Sequence, residues 1–147
     1  VCLRYFNVYG PRQGRGPYGG VIRIFEDRLR GNKPPIIYGD GKQTRDFVSV
    51  LDVVQANMLA MTVKEAAGEV FNVGTGVGTS ISMLAEMIIG ASGRRHVHPI
   101  HASPRYGDVR HSCADITKVN RMLGYSPTLR LDDFLRNWTH GQTVINP

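Results

Sequence analysis

Residues 69–88 read EVFNVGTGVGTSISMLAEMI, and this stretch decides the fold. Glu69-Val70-Phe71-Asn72-Val73 is an apolar strand, the glycines at 74, 76 and 78 turn the chain, and a helix capped near Ser80 or Ser82 follows with Leu84, Met87 and Ile88 facing inward. Strand, glycine turn, helix is the α/β rhythm. Such turns also bring phosphates to backbone N–H groups at helix N-termini, but the dinucleotide pattern begun by Gly74-x-Gly76 requires glycine at 79 and meets Thr79. The glycines read as a tight structural connection.

The same rhythm extends outward in both directions. Upstream, Val1 to Val8 is β-rich with large residues on both faces, as expected of a strand inside a sheet, which needs neighbours on each side. Residues 10–20 carry glycine and proline at a density that marks a loop. Val21, Ile22, Phe25 and Leu29 then recur at helical spacing until Gly31. Ile36-Ile37-Tyr38 is a short strand, Gly39-Asp40-Gly41 a turn, and Asp46 to Val50 a second strand, after which Asp52 is positioned to cap a helix bearing Val53, Val54, Ala56, Leu59 and Ala60. Downstream, His96 to His101 suits a strand and Thr117 to Leu123 a helix closed by Gly124. Asp132 or Asp133 suits the cap of a last helix carrying Phe134, Leu135 and Trp138.

Composition limits the function classes. The 147 residues are 41% hydrophobic and 20% charged, with 17 Gly, 8 Pro and 2 Cys, which excludes disorder, collagen and a disulfide framework. The length suits one domain of about 100–150 residues. No apolar run nears the ~18–20 residues that span a bilayer, and no leader pattern opens the sequence, so a soluble cytoplasmic protein with reduced thiols is expected. Cys2 and Cys113 form no C-x-x-C pair, which leaves zinc and redox roles without support. The net charge of +6 permits nucleic acid, yet the basic residues are scattered and lack an interleaved aromatic platform.

Several motifs dissolve on inspection. Gly16-x-x-Gly19 and Gly90-x-x-Gly93 fail as dinucleotide patterns at Ile22 and His96, and Gly41-Lys42 followed by Gln43 is no phosphate loop. Tyr38-x-x-x-Lys42 has the spacing of a catalytic tyrosine and lysine on one helix turn, but the intervening Gly-Asp-Gly denies the helix. His96, His98 and His101 have no nearby cysteine or carboxylate to complete a metal shell and read as a solvent-facing strand edge. Three clusters remain: Arg4 with Asn7, Arg45-Asp46-Phe47, and Arg105-Tyr106-Gly107-Asp108. Arginine forks suit phosphate and Asn or Asp suit sugar hydroxyls, so a small anionic ligand is worth considering.

The stretches LRYFNVYGPRQ (3–13), GVIRIF (20–25), IIYGDGKQTRDFVSVLDV (36–53), FNVGTG (71–76), RYGDVRHSCADITK (105–118) and LGYSPT (123–128) resemble, in order, the C-terminal half of the extended short-chain dehydrogenase/reductase family. Within it they are most similar to UDP-glucose 4-epimerases, and nucleotide-sugar dehydratases and decarboxylases share the skeleton. The resemblance implies an α/β fold in which the last strands of a Rossmann-type parallel sheet, 1–8 and 69–73, join a small substrate-binding α/β domain. It implies Asn7 on the sugar diphosphate, Arg45 and Arg105 on the phosphates, Asp108 on the ribose, Ile36 and Tyr38 along the uracil pocket with Gln43 nearby, and Tyr5 and Phe6 beside a nicotinamide. The family's G-x-x-G-x-x-G and its catalytic Tyr-x-x-x-Lys have no match here.

The resemblance thus implies a UDP-sugar-binding part whose full-length parent is an NAD-dependent homodimer interconverting UDP-glucose and UDP-galactose. In that family NAD removes hydride at C4, the keto sugar rotates, and hydride returns to the other face. This chain by itself is expected to lack activity and not to bind NAD. A dehydratase or decarboxylase fragment, or a non-catalytic nucleotide-sugar-binding module, stays open beside it, and a nucleic-acid-binding domain ranks below.

Overall fold

A computed structural model describes residues 1–14 and 19–137, together with the backbone but not the side chains of Trp138 and Thr139. The sequence stretch 1–8, read as a single strand, is two. β1 (Cys2–Tyr5) and β2 (Asn7–Tyr9) part at Phe6 and join different sheets. The later elements are α1 (Val21–Arg30), β3 (Ile36–Tyr38), β4 (Thr44–Ser49), α2 (Val50–Thr62), a 3-10 turn (Lys64–Ala66), β5 (Val70–Val73), β6 (Gly78–Ser80), α3 (Ile81–Ala91), β7 (Ile100–Ala102), β8 (His111–Ser112), α4 (Thr117–Leu123) and α5 (Leu131–Thr139).

β1 pairs in parallel with β5, from Cys2 opposite Val70 to Tyr5 opposite Val73. β4 is the hub of the second sheet: β2 runs parallel to it along Phe47, Val48 and Ser49, β6 antiparallel along Thr44 to Asp46, and β8 parallel along Thr44 and Arg45. β3 and β7 form a third, parallel pair. Successive residues of a strand face opposite sides, so β4 divides the interior. Phe47 enters a core with Tyr9, Ile22, Phe25, Leu29, Leu84, Ile88 and Leu135, while Val48 enters another with Ala56, Phe71, Val73, Val119, Leu123 and Tyr125.

Local chemistry shifts some expected boundaries. Ser49, not Asp52, caps α2, its hydroxyl accepting from Leu51 N at 3.2 Å. Asp52 sits buried in the first turn and accepts from Thr128 N (3.0 Å), Thr128 Oγ1 (3.1 Å) and Leu129 N (3.3 Å), which ties α2 to the entry of α5. Ser80 caps α3, accepting from Met83 N at 3.1 Å. The strand expected at 96–101 lies at Ile100–Ala102, and Gly78-Thr79-Ser80 forms a strand inside the glycine turn because β4 offers it an antiparallel edge. Gly124 closes α4 at φ +69, as its glycine suggests. α5 begins at Leu131, so Asp132 and Asp133 occupy its first turn, where they favour the helix dipole rather than cap it. The side chain of Trp138 and residues 15–18 of the 10–20 loop lie outside the described residues.

Candidate functional site

The site is built on β4, where alternation separates two neighbouring charges. Asp46 points inward with the Val48 face and is wholly buried. Its carboxylate accepts from Thr75 N (2.9 Å), Thr75 Oγ1 (2.6 Å), Gly76 N (2.9 Å) and Ala114 N (3.1 Å), joining β4, the glycine turn and the segment after β8. Gly74 is required beside it, because a Cβ there would lie 2.6 Å from Asp46 Oδ2 and 2.6 Å from the Ala114 methyl. Thus the turn's amides serve a protein carboxylate. Tyr125 completes the joint by donating its hydroxyl to Gly74 O at 2.9 Å; burial, then the nearby carboxylates of Asp52 and Asp46, hold that phenol well above its ordinary range.

Arg45 points the other way. Its Nη1 donates to Thr44 O (2.7 Å) and Val109 O (2.6 Å), and its Nη2 pairs with the Asp108 carboxylate, so two of the five guanidinium N–H groups are not engaged in these bonds. The guanidinium carbon of Arg105 stands 4.0 Å from the centre of the Tyr38 ring. Arg110 grips Asp40 with two bonds, 2.6 and 2.8 Å, and its carbonyl accepts from Thr44 N at 2.9 Å. That grip, with the Lys42 amide, holds the Asp40 carboxyl below the usual carboxylate range. The 105–110 segment is therefore laced across β3 and β4 by a stack and two ion pairs.

Beneath it lies a cleft of about 240 Å³. Asn7, Ile36, Tyr38, Gln43, Arg45, Arg105 and Asp108 all line it, closed on one side by Gly19, Val21, Ile24 and Phe25 at the start of α1. Seven residues singled out from separate stretches of sequence thus meet around one space. Ile36 and Tyr38 face the cleft because Ile37 between them is committed to the core, with 1% of its surface exposed. Asn7 is steadied by donating Nδ2 to Asp46 O at 3.2 Å. Gln43 donates Nε2 to Tyr38 O at 2.8 Å, and its Oε1 is shielded without a hydrogen-bond partner among the described residues. An adjoining hollow of about 300 Å³ shares Tyr38, Gln43, Arg105 and Asp108 and adds Asp40 and Arg110.

The other two expected residues are not brought to this cleft. Tyr5 donates its hydroxyl to Asn57 Oδ1 at 3.0 Å and lines a hollow beside α2, and Phe6 sits at the break between β1 and β2, its amide on Val73 O at 3.0 Å. Sequence reasoning missed Asp46 as the joint behind the cleft and the Arg110–Asp40 tether. The adjacency of Arg45 and Asp46 on a strand was the available signal for the first; nothing local marked the second. Lys42 lies in the β3–β4 turn, so Tyr38 and Lys42 share no helix. His101 Nδ1 contacts Gly39 O at 2.7 Å, and Cys2 and Cys113 are free thiols. No helix among the described residues is long and apolar enough to cross a membrane.

The sequence pattern of the NAD dependent epimerase/dehydratase family matches residues 1–74. A putative UDP-glucose 4-epimerase of Methanocaldococcus jannaschii is 43% identical over 141 residues, 94% of this chain and 45% of that protein. A UDP-N-acetyl-alpha-D-glucosaminuronate decarboxylase of Bacillus cytotoxicus is 37% identical, over 92% of this chain and 44% of that one. The crystal structure of UDP-glucose 4-epimerase from Thermotoga maritima with UDP-glucose superposes with a TM-score of 0.86 at 42% identity, covering 94% of this chain and 44% of that chain. UDP-glucuronic acid 4-epimerase from Bacillus cereus, in complex with UDP-glucuronic acid and NAD, gives 0.84 at 34%, covering 96% and 45%. The chain spans less than half the length of these relatives. A half-chain pattern match and a fold shared over nearly every described element carry one conclusion: this chain belongs to the NAD dependent epimerase/dehydratase family, with the α/β fold of its extended short-chain dehydrogenase/reductase members.

Proposed function

We propose that this chain is the substrate-binding part of a nucleotide-sugar epimerase, taking a UDP-sugar and serving the interconversion of UDP-glucose and UDP-galactose at C4. The observation that carries the reading is the convergence of Asn7, Ile36, Tyr38, Gln43, Arg45, Arg105 and Asp108 on one cleft. In this reading Arg45 and Arg105 hold the two phosphates, each charged hydrogen bond contributing about 1.5–3 kcal/mol. Asp108 takes the ribose, while Ile36, Tyr38 and Gln43 flank the uracil. Anchoring by the diphosphate leaves the sugar free to turn, which suits an epimerase. Strands β1 and β5 belong to a larger NAD-binding sheet, and the full-length protein is a cytoplasmic homodimer.

Among the described residues, the glycine turn is not offered to a dinucleotide. The amides of Thr75 and Gly76 are engaged by Asp46, and Tyr5 is tied to Asn57 away from the cleft. NAD is accordingly assigned to the remainder of the full-length protein, and the chain alone is expected to show no turnover. A decarboxylase reading draws support from the Bacillus cytotoxicus relative.

Calorimetry with UDP tests the proposal. Binding is expected, weakened at least tenfold by Arg45→Ala, with UDP-glucose competing better than UDP-glucuronate. No heat with UDP, or an unchanged affinity in the variant, overturns it; preference for UDP-glucuronate replaces the UDP-glucose assignment with a UDP-uronate one, which the decarboxylase and the glucuronic acid 4-epimerase relatives both fit. Turnover of UDP-galactose by the chain with added NAD would refute the predicted inactivity.

A further inference from the structure

Two charged residues of the cleft, Arg45 and Asp108, are paired with each other. Arg45 is held in two unequal halves. Its Nη1 donates to the carbonyls of Thr44 (2.7 Å) and Val109 (2.6 Å), which pins the guanidinium to β4 and to the chain just past Asp108. Its Nη2 meets only Asp108 Oδ1 among the described residues. Release of Asp108 therefore leaves Arg45 in place and frees the Nη2 side for another acceptor. Asp108 is held less firmly. Its Oδ2 has no hydrogen-bond partner among the described residues, and 34% of its side chain is exposed. It follows Gly107, a left-handed turn residue (φ +75) with nothing within 4 Å of where a Cβ would stand, so the carboxylate has room to swing.

Arg105 differs. It stacks on Tyr38 at 4.0 Å and forms no ion pair among the described residues. In the adjoining hollow Arg110 and Asp40 cancel one another. The cleft thus sets two guanidinium charges against one carboxylate, and that carboxylate stands on the guanidinium edge an incoming phosphate needs. A bare polyphosphate that takes Arg45 must displace Asp108 and leave a carboxylate without its cation, beside a like charge. A ligand that also brings hydroxyl donors gives Asp108 new partners as it is displaced. Specificity arises as much from such a penalty on the wrong ligand as from contacts to the right one.

We propose that Asp108 is a specificity-determining residue that occupies Arg45 until a diphosphate joined to a vicinal diol displaces it, so that the cleft takes nucleoside diphosphates and refuses inorganic pyrophosphate. The exchange moves one side chain. Arg45 stays on Thr44 and Val109 while Asp108 turns from Nη2 to the hydroxyls. The inference deepens the proposed function and rests on it for the identity of the diol, the ribose of UDP. The pairing of Arg45 with Asp108 does not depend on that reading.

Calorimetry of the 147-residue chain with UDP and with inorganic pyrophosphate tests the exchange. UDP is expected to bind roughly a hundredfold more tightly than pyrophosphate, or better. Asp108→Asn keeps the shape and an acceptor for hydroxyls but removes the charge. It is expected to raise pyrophosphate affinity roughly tenfold or more, while UDP affinity changes by less than about threefold. In an Arg45→Ala background, or Arg45→Met should the alanine variant not fold, the pyrophosphate gain is expected to vanish, because Asp108 acts through that guanidinium. An unchanged or lowered pyrophosphate affinity in Asp108→Asn overturns the proposal, as does an equal rise for UDP, which is the mark of simple repulsion of any anion. A gain that persists without Arg45 overturns it too. In the unsubstituted chain the carbon-13 signal of the Asp108 carboxyl is expected to shift when UDP is added, and a fixed signal in a chain that binds UDP counts against the exchange. No heat with UDP but a tenfold pyrophosphate gain in Asp108→Asn would fail the proposed function and leave the occupation of Arg45 standing; UDP binding without that gain does the reverse. Binding of neither ligand by any of these chains overturns both.

Discussion

At the scale of single residues, the pair Arg45 and Asp46 shows how one strand assigns opposite duties to adjacent charges. Asp46 is enclosed and fully bonded, Arg45 edges the cleft with 16% of its side chain exposed. Asp46→Ala leaves the amides of Thr75, Gly76 and Ala114 and a threonine hydroxyl without their acceptor, and each buried orphan costs about 1–3 kcal/mol before relaxation. A loss of about 3–5 kcal/mol is expected in urea unfolding, near the upper range for point substitutions. Gly74→Ala should be destabilising for a different reason, the approach of its methyl to Asp46 Oδ2 and Ala114, and Asp46→Ala should relieve part of that cost. Non-additivity in the double variant, read by the same unfolding curves, checks it; simple addition would refute the contact. Tyr38→Ala removes the ring under Arg105 and is expected to lower UDP affinity several-fold with little change in stability, since Tyr38 is only half-buried.

Among elements, the helices and the apolar strands β3 and β5 were legible, and the strands β6 and β8 were not. α1 and α4 follow apolar spacing and end at glycines that any reading of the sequence finds. Ser49 shows the limit of such reading: both it and Asp52 are good caps, and the choice fell to Ser49 because Asp52 is drawn to Thr128, 76 residues away. Ser49→Ala should therefore cost about 1 kcal/mol, the usual value of a serine cap. Asp52→Ala should cost more, since it uncouples α2 from the start of α5; equal losses in thermal unfolding would contradict this division. β6 and β8 escaped notice because glycine-rich or polar segments of two or three residues have no strand signature of their own. They are strands because β4 presents edges to them.

Over the whole molecule, two cores share β4 as a wall, and the cleft opens where that wall meets the 105–110 segment. That segment is fastened by charges, so its hold should depend on pH. Asp40, Asp115 and Asp132 have carboxyls held below the ordinary range, Asp40 and Asp132 first by arginine hydrogen bonds and Asp115 by the Thr117 amide. Groups with lowered folded values lend stability that is whole above the unfolded value of about 4 and is lost as pH falls through the folded ones. Melting temperature is expected to drop on acidification below about pH 4, with a shallower drop in Asp40→Asn. Because Asp40 and Arg110 are both exposed, about 0.5 M salt should weaken their share. An acid limb identical in Asp40→Asn would show that the tether contributes nothing.

By itself the sequence determined the α/β alternation, most helix ends, the family and the residue types that gather at the cleft. These rest on local chemistry: periodicity, caps, glycine turns and motifs read in order. The tertiary structure alone decided that Phe6 breaks the first strand, that Asp46 rather than a ligand engages the glycine turn, that Asp52 ties α2 to the entry of α5, and that Arg110 holds Asp40. Each of these joins segments far apart in the chain, and such contacts are fixed by the packing of two cores against one strand, which no local signal encodes.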